Sequence, residues 1–317
     1  LVLATVDSLT KFKNKLAYYL AIFAMVFGST FGTMNAANAA DKVIATDGSS
    51  GDLTGTDNAG GTNTAKAYDD VSYTIRAADS EHISEILGDS AGDTFNVGGT
   101  LLLNNLNAVD ATGEALLVTV AATLNVTGLT NINSNGAAND NTNSSATLTL
   151  KNTSTFTAAV TLNEVIGTDV AQVIIGDDGT ASTVTFNGGL LSQANGEGIL
   201  QINAGGELQT IAGAIGSSSV RFGEVLATTT GKFTGAIIAT EVDVDDDTTF
   251  EGTVNSTAAN IATGKTGTFN EDVTVGAIAT VGTGTFKKAV TATTIVQDGT
   301  VNITNTADTT IAGVFTE

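Results

Sequence analysis

The sequence predicts an all-β chain wound as a parallel β-solenoid, and three observations carry that expectation. First, four phenylalanines, Phe233, Phe250, Phe269 and Phe286, recur at nearly one interval. A large apolar residue returning about every 18 residues suggests one coil of a solenoid per repeat. Second, Gly, Thr, Ala, Asn and Val dominate the 317 residues: Thr and Val favour strands, and Gly and Asn favour the turns between them. Third, there is no proline. A residue that removes a ladder donor is poorly tolerated where nearly all backbone is paired. At 42% hydrophobic residues the chain can bury a core. The competing fold is a string of antiparallel β-sandwich modules, which predicts long repeats that the sequence does not display.

Residues 1–39 have the order of a secretory signal. Lys11, Lys13 and Lys15 precede an apolar run from Leu16 to Gly28, and Ala37-Asn38-Ala39 matches a small-residue cleavage pattern. The run is shorter than the stretch of about 20 residues that a comfortable membrane span needs. The mature chain would begin at Ala40. Residues 40–94 form a loop-rich entry and capping region. Val71, Tyr73 and Ile75 alternate as in a strand, and a short amphipathic helix is expected after them. Asp79 or Ser80 would cap that helix, Ile83, Ile86 and Leu87 would line one face, and Gly88 would end it. Such a helix would cover the open end of the solenoid.

The repeat domain is expected over 95–317. Short apolar runs at Leu101–Leu103, Leu116–Val120, Leu148–Leu150 and Val173–Ile175 are separated by Asn/Gly/Asp clusters. At about 18 residues per coil this stretch would give roughly a dozen coils, about 4.8 Å apart. Strict alternation through Phe269, Glu271 and Val273 would place a charge on the apolar face. A bend between Phe and Val, with both pointing inward from neighbouring segments, is therefore expected. Phe156 and Phe186 share the Thr-Phe motif but lie farther apart than the later phenylalanines do. Their interval is too long for one coil of the later kind and too short for two, so the earlier half reads as less regular.

The segments Thr268-Phe-Asn-Glu-Asp-Val-Thr-Val275 and Thr285-Phe-Lys-Lys-Ala-Val-Thr-Ala292, on a Thr/Asn/Gly-rich background, resemble repeats of bacterial autotransporter passengers and of large rickettsial-type outer-membrane surface antigens. The resemblance covers roughly 150–317 plus the extended leader. It implies a right-handed β-helical passenger displayed at the cell surface, acting in adhesion or surface coating. Such proteins carry a C-terminal membrane barrel. Here the repeat pattern runs to Glu317, so the expectation is a piece of a longer protein or a separate export device.

Chemistry is sparse. With 33 acidic against 12 basic residues and a net charge of −21, nucleic acid and anionic membranes are poor partners; divalent cations and basic surfaces suit better. There is no Cys, and the single histidine, His82, falls on the expected helix. No nucleophile elbow, Walker motif or dinucleotide fingerprint occurs. Asp243 and Asp245 alternate along one strand and are the nearest approach to a glycosidase carboxylate pair. Asp243, Asp245, Asp246 and Asp247, and then Asp177 and Asp178, are the candidate oxygen ligands for Ca²⁺, the one cofactor the sequence suggests. The reading is a non-enzymatic, exported, adhesin-like surface protein that binds a cell-surface or matrix ligand. The alternatives are a self-assembling surface-layer or filament subunit, joined through its solenoid ends, and a β-helix carbohydrate-active enzyme.

Overall fold

Phe250 pairs with Phe233 on one side and with Phe269 on the other, in parallel, so each repeat is one rung of a ladder. The computed structural model describes residues 42–45, 51–53, 73–77, 83–87, 94–105, 115–134, 144–164, 169–176, 181–203, 207–304, 310–311 and 315–316, with side chains at 75 and within 94–304. Among these residues the chain is all-β, in three parallel sheets of six, thirteen and ten strands. The chain visits the sheets in turn. Leu101–Asn105, Ala115–Val120 and Thr123–Val126 make one such circuit, and each strand pairs with its equivalent in the next coil. The architecture is a parallel β-solenoid.

Strand alternation explains how the core is filled. Inward positions of successive coils are apolar and fully buried, as at Leu116, Val118 and Val120. Seven of the largest buried side chains are phenylalanines: Phe156, Phe186, Phe222, Phe233, Phe250, Phe269 and Phe286. Each such burial stabilises by about 1.5–3 kcal/mol before packing is counted. The chain bends between Phe269, which ends the strand Thr266–Phe269, and Val273, which opens Val273–Thr280. Phe269 is 1% and Val273 2% exposed, whereas Glu271 points to solvent. The expected bend is therefore present.

Two expectations are corrected. Residues 83–87 form a strand, not part of a capping helix: Ile83–Leu87 pairs with Gly51–Leu53 and with Ala115–Val120. The i, i+3, i+4 pattern is also Ile83, Glu85, Leu87 at a period of two, and a ladder on both sides outweighs so short a helical preference. His82 and the expected helix caps lie outside the described residues. Nor is the long interval from Phe156 to Phe186 an irregularity, because the two residues pair directly across a single long coil.

Coil length shortens along the chain. In register, one column of the third sheet runs through Phe95, Leu124, Ser154, Val184, Ile211, Phe233, Phe250, Phe269, Phe286 and Ile303. Its early steps are each about 30 residues long and its late steps about 18, both within the sizes that solenoid repeats take. The cause is a merger. In the early coils the first sheet has its own strands, ending with Leu190–Ser192. Ile215 then bridges Leu190 to Ile237, and the long strand Ile237–Val244 serves both sheets. Ten strands of the third sheet therefore span Thr94 to Ile303, fewer than a uniform short coil implies.

The Phe156–Phe186 and Phe233–Phe286 stacks are separate columns. Val184, not Phe186, aligns with Ile211 and through it with Phe233. Gly213 falls where the first column would continue. Its φ of 106° is in the left-handed region, and a Cβ there would lie 2.1 Å from the Phe186 carbonyl oxygen.

Candidate functional site

Carboxylates far apart in sequence meet on the outer face of the second sheet. Glu224 on Phe222–Ala227 pairs in register with Glu241 on Ile237–Val244, and Leu226 with Asp243. Outward positions repeat every second residue, so Glu224, Glu241 and Asp243 share one patch. On the adjoining coils, Glu164 at the end of Val160–Glu164 and Asp169 before Val170 close one side. Glu164, Asp169, Gly198, Gly223, Glu224 and Glu241 are among the residues lining a groove of about 250 Å³. Gly223 permits this closeness: a Cβ there would sit 2.5 Å from the Gly198 carbonyl oxygen.

Each carboxylate is held. Glu164 Oε1 accepts hydrogen bonds from the Ala171 and Gly198 amides at 2.9 and 3.1 Å. Asp169 Oδ1 accepts from the Ser144 amide at 3.2 Å. Asn260 Nδ2 donates to both Glu241 Oε1 and Asp243 Oδ1, at 2.8 and 2.7 Å. Burial pushes the Glu224 carboxyl above the ordinary carboxylate range, and the charges of Asp243 and Glu241 push it the same way. Burial also raises Asp243, against the Asn260 hydrogen bond. Glu164 is raised by burial, against its two amide donors. The side-chain hydrogen bond between the two acts in opposite senses, raising Glu224 and lowering Asp243.

The aspartates singled out from sequence separate into different roles. Asp243 stands beside the groove, two residues along the strand from Glu241. Asp245 and Asp247 are exposed in the turn after Val244. Asp246 Oδ1 bonds Lys265 Nζ at 2.8 Å, and Asp247 Oδ1 accepts from the Thr266 amide at 2.8 Å. Asp246 is accordingly held below the ordinary range by Lys265. Among the described residues, no group of three or more His, Cys, Asp or Glu is placed to hold a metal ion. Asp177 and Asp178 lie outside them. Arg221 does not stand against the carboxylates: its Nη1 donates to the Ala239 and Asn255 carbonyls at 3.0 and 3.1 Å, and its Nη2 to Asn255 Oδ1 at 2.7 Å. Sequence reading missed Glu164, Glu224 and Glu241, which only the coil register brings together.

A second recess, of about 470 Å³, lies on the third sheet around Lys232, Thr249 and Thr268. Lys232 Nζ pairs there with Glu251 Oε1 at 2.8 Å. No helix among the described residues is long and apolar enough to cross a membrane.

The fold and groove define a parallel β-solenoid with an acidic outer patch. No family model, curated protein or solved structure matches the chain.

Proposed function

We propose that this chain is a non-enzymatic, exported bacterial surface protein, an adhesin-like β-helical passenger that presents its outer faces to a cell-surface or matrix ligand. The observation that supports this reading is the ladder itself. The inward columns stay mainly apolar from coil to coil, while on the outer face of the second sheet residues in register change from rung to rung, as Ile199, Glu224, Glu241, Ala258 and Ala277 do. Such a scaffold supports a varied binding face without altering its core. The groove at Glu164, Glu224 and Glu241 is where a cationic group of that ligand would sit. Protease treatment of intact cells tests display: the chain is expected to be digested from outside, and full protection would refute export to the surface.

Self-assembly is the second reading. The strand Thr300–Ile303 is the last of its sheet among the described residues, and Ile303 is 39% exposed there. A ladder edge left uncovered there would favour pairing with another edge. Electron microscopy separates the two readings, with fibres or arrays supporting assembly and isolated particles supporting display. The neighbouring carboxyl groups of Glu224 and Asp243 support the third reading, a β-helix carbohydrate-active enzyme acting by acid–base chemistry. Polysaccharide cleavage lost in Glu224→Gln and Asp243→Asn variants would establish it.

A further inference from the structure

Eight threonines stand in one line across the outer face of the third sheet. The register runs through Thr94, Thr123, Thr183, Thr210, Lys232, Thr249, Thr268, Thr285 and Asn302, and Thr153, one residue before Ser154–Phe156, takes the rung between Thr123 and Thr183. Every member is half-buried or exposed, and the next residue in the chain is buried at every rung but the last. Beside the line stand Asn96, Asn125, Thr155 and Thr185 over the early coils. Thr266, Thr283 and Thr300 flank it over the late ones. Asn125 Nδ2 donates to Asn96 Oδ1 at 2.9 Å, so the ladder continues into the side chains.

The result is a two-dimensional lattice of hydroxyl and methyl groups. Its repeat is about 4.8 Å from coil to coil and about 6.6 Å between alternate residues of one strand. Threonine is stiff at χ1, so these groups are pre-arranged rather than ordered on contact.

Charge selects the occupant. Although the chain carries −21, this face is nearly neutral. Lys232 is the one charge in the line and is paired with Glu251; in the flanking rows Asp247, which accepts the Thr266 amide, and the exposed Lys287 offset one another in sign. An uncharged occupant complements it. A protein partner would want Trp, Tyr or Arg anchors. The exposed large hydrophobic residues among those described are instead all aliphatic, which also leaves no ring on which a sugar could stack. A second copy would bury too little. Ten rungs by four residues give about 630 Å² a side, against about 800 Å² for a standard interface. Each hydroxyl both donates and accepts hydrogen bonds, so it can bond to lattice waters in either sense.

We propose that the threonine face of the third sheet binds ice, its hydroxyl rungs holding water at spacings that continue the oxygen lattice of an ice surface. The inference is independent of the surface-display reading, because an ice-binding face functions whether or not the chain is displayed.

The test is ice growth in a nanolitre osmometer, together with ice-affinity partition of the purified full chain. The parent is expected to facet and arrest ice crystals and to concentrate in the ice. A Thr183→Lys/Thr268→Lys variant is expected to lose both properties. Lysine already occupies one rung of the line at 232, so this variant retains the β circular dichroism and melting temperature of a folded chain. Thr274→Lys, exposed on the second sheet, is expected to keep full activity. Ice growth indistinguishable from buffer with the parent overturns the proposal. So does unchanged activity in the double variant, or retention on microcrystalline cellulose without ice activity.

Discussion

Phe250 and Phe269 stack with ring centroids 4.7 Å apart and planes within 7°, although the chain between them is longer than that between either neighbouring pair of the column. The extra length falls outside the strands, in the turn at Ala262–Lys265, where the Lys265 amide bonds the Ala262 carbonyl at 3.2 Å. The stack continues to Phe233 and Phe286 with centroids 5.2 and 4.8 Å apart. Register is thus fixed by the side-chain column, and the turns absorb differences in coil length.

The first expectation concerns that column. Phe269→Ala removes the middle of the stack and leaves a cavity with neighbours on both sides. A loss of about 3–5 kcal/mol is expected, read as a shift of the urea midpoint. Glu271→Gln, close in sequence but exposed, is expected to change stability by less than about 0.5 kcal/mol.

Two glycines separate backbone strain from steric closeness. Gly264 has a φ of 71° with no atom within 4 Å of an added Cβ. Gly264→Ala is expected to lose only the left-handed penalty of about 1–2 kcal/mol. Gly213 has both the conformation and the Phe186 carbonyl in the way, so Gly213→Ala is expected to lose about 3 kcal/mol or more. Equal midpoints for the two variants would contradict this account of the column break.

Arg221 joins two neighbouring coils through Ala239 and Asn255. Arg221→Met is expected to cost about 1.5–3 kcal/mol, the range for hydrogen bonds to a charged group. Arg221→Lys is expected to recover little, because an ammonium lacks the planar fork that reaches both partners. Thermal melts of the three proteins decide it.

Stability against pH has a sign set by the acidic patch of the second sheet and the neighbouring Glu164. The folded-state pKa values of Glu224, Asp243 and Glu164 are raised, so the folded chain holds these protons more tightly than the unfolded chain. Their contribution is most favourable at low pH. It declines as pH rises from the ordinary carboxylate value of about 4 through the raised values. Asp246 acts in the opposite sense, because its depressed pKa gives stability that is lost as pH falls below the ordinary range. Melting temperature is therefore expected to decline on the upper limb, and Glu224→Gln is expected to flatten that decline. An unchanged slope in the variant would remove Glu224 from the account.

The coil stack was legible because its signal is local in composition and periodic in Phe233, Phe250, Phe269 and Phe286. The bend before Val273 followed from the misfit of Glu271 on an apolar face. The strand at Ile83–Leu87 was not legible, since a short segment with apolar ends fits two periods and only the partners in Gly51–Leu53 and Ala115–Val120 choose between them. The long early coils were hidden because a first-sheet strand and its turns are inserted between equivalent positions. The acidic groove was hidden for a related reason: Glu164, Glu224 and Glu241 are neighbours only once the coils are in register.

The stacked coils are tested most directly by distances between spin labels on paired cysteines, since the chain has no native cysteine. Labels at Thr94 and Lys232, and separately at Thr210 and Asn302, lie five rungs apart in both cases, although the first pair is much farther apart in sequence than the second. Both pairs are expected at the same separation, about 24 Å before the label arms. Distances that differ between the pairs in proportion to their sequence separation would contradict the solenoid.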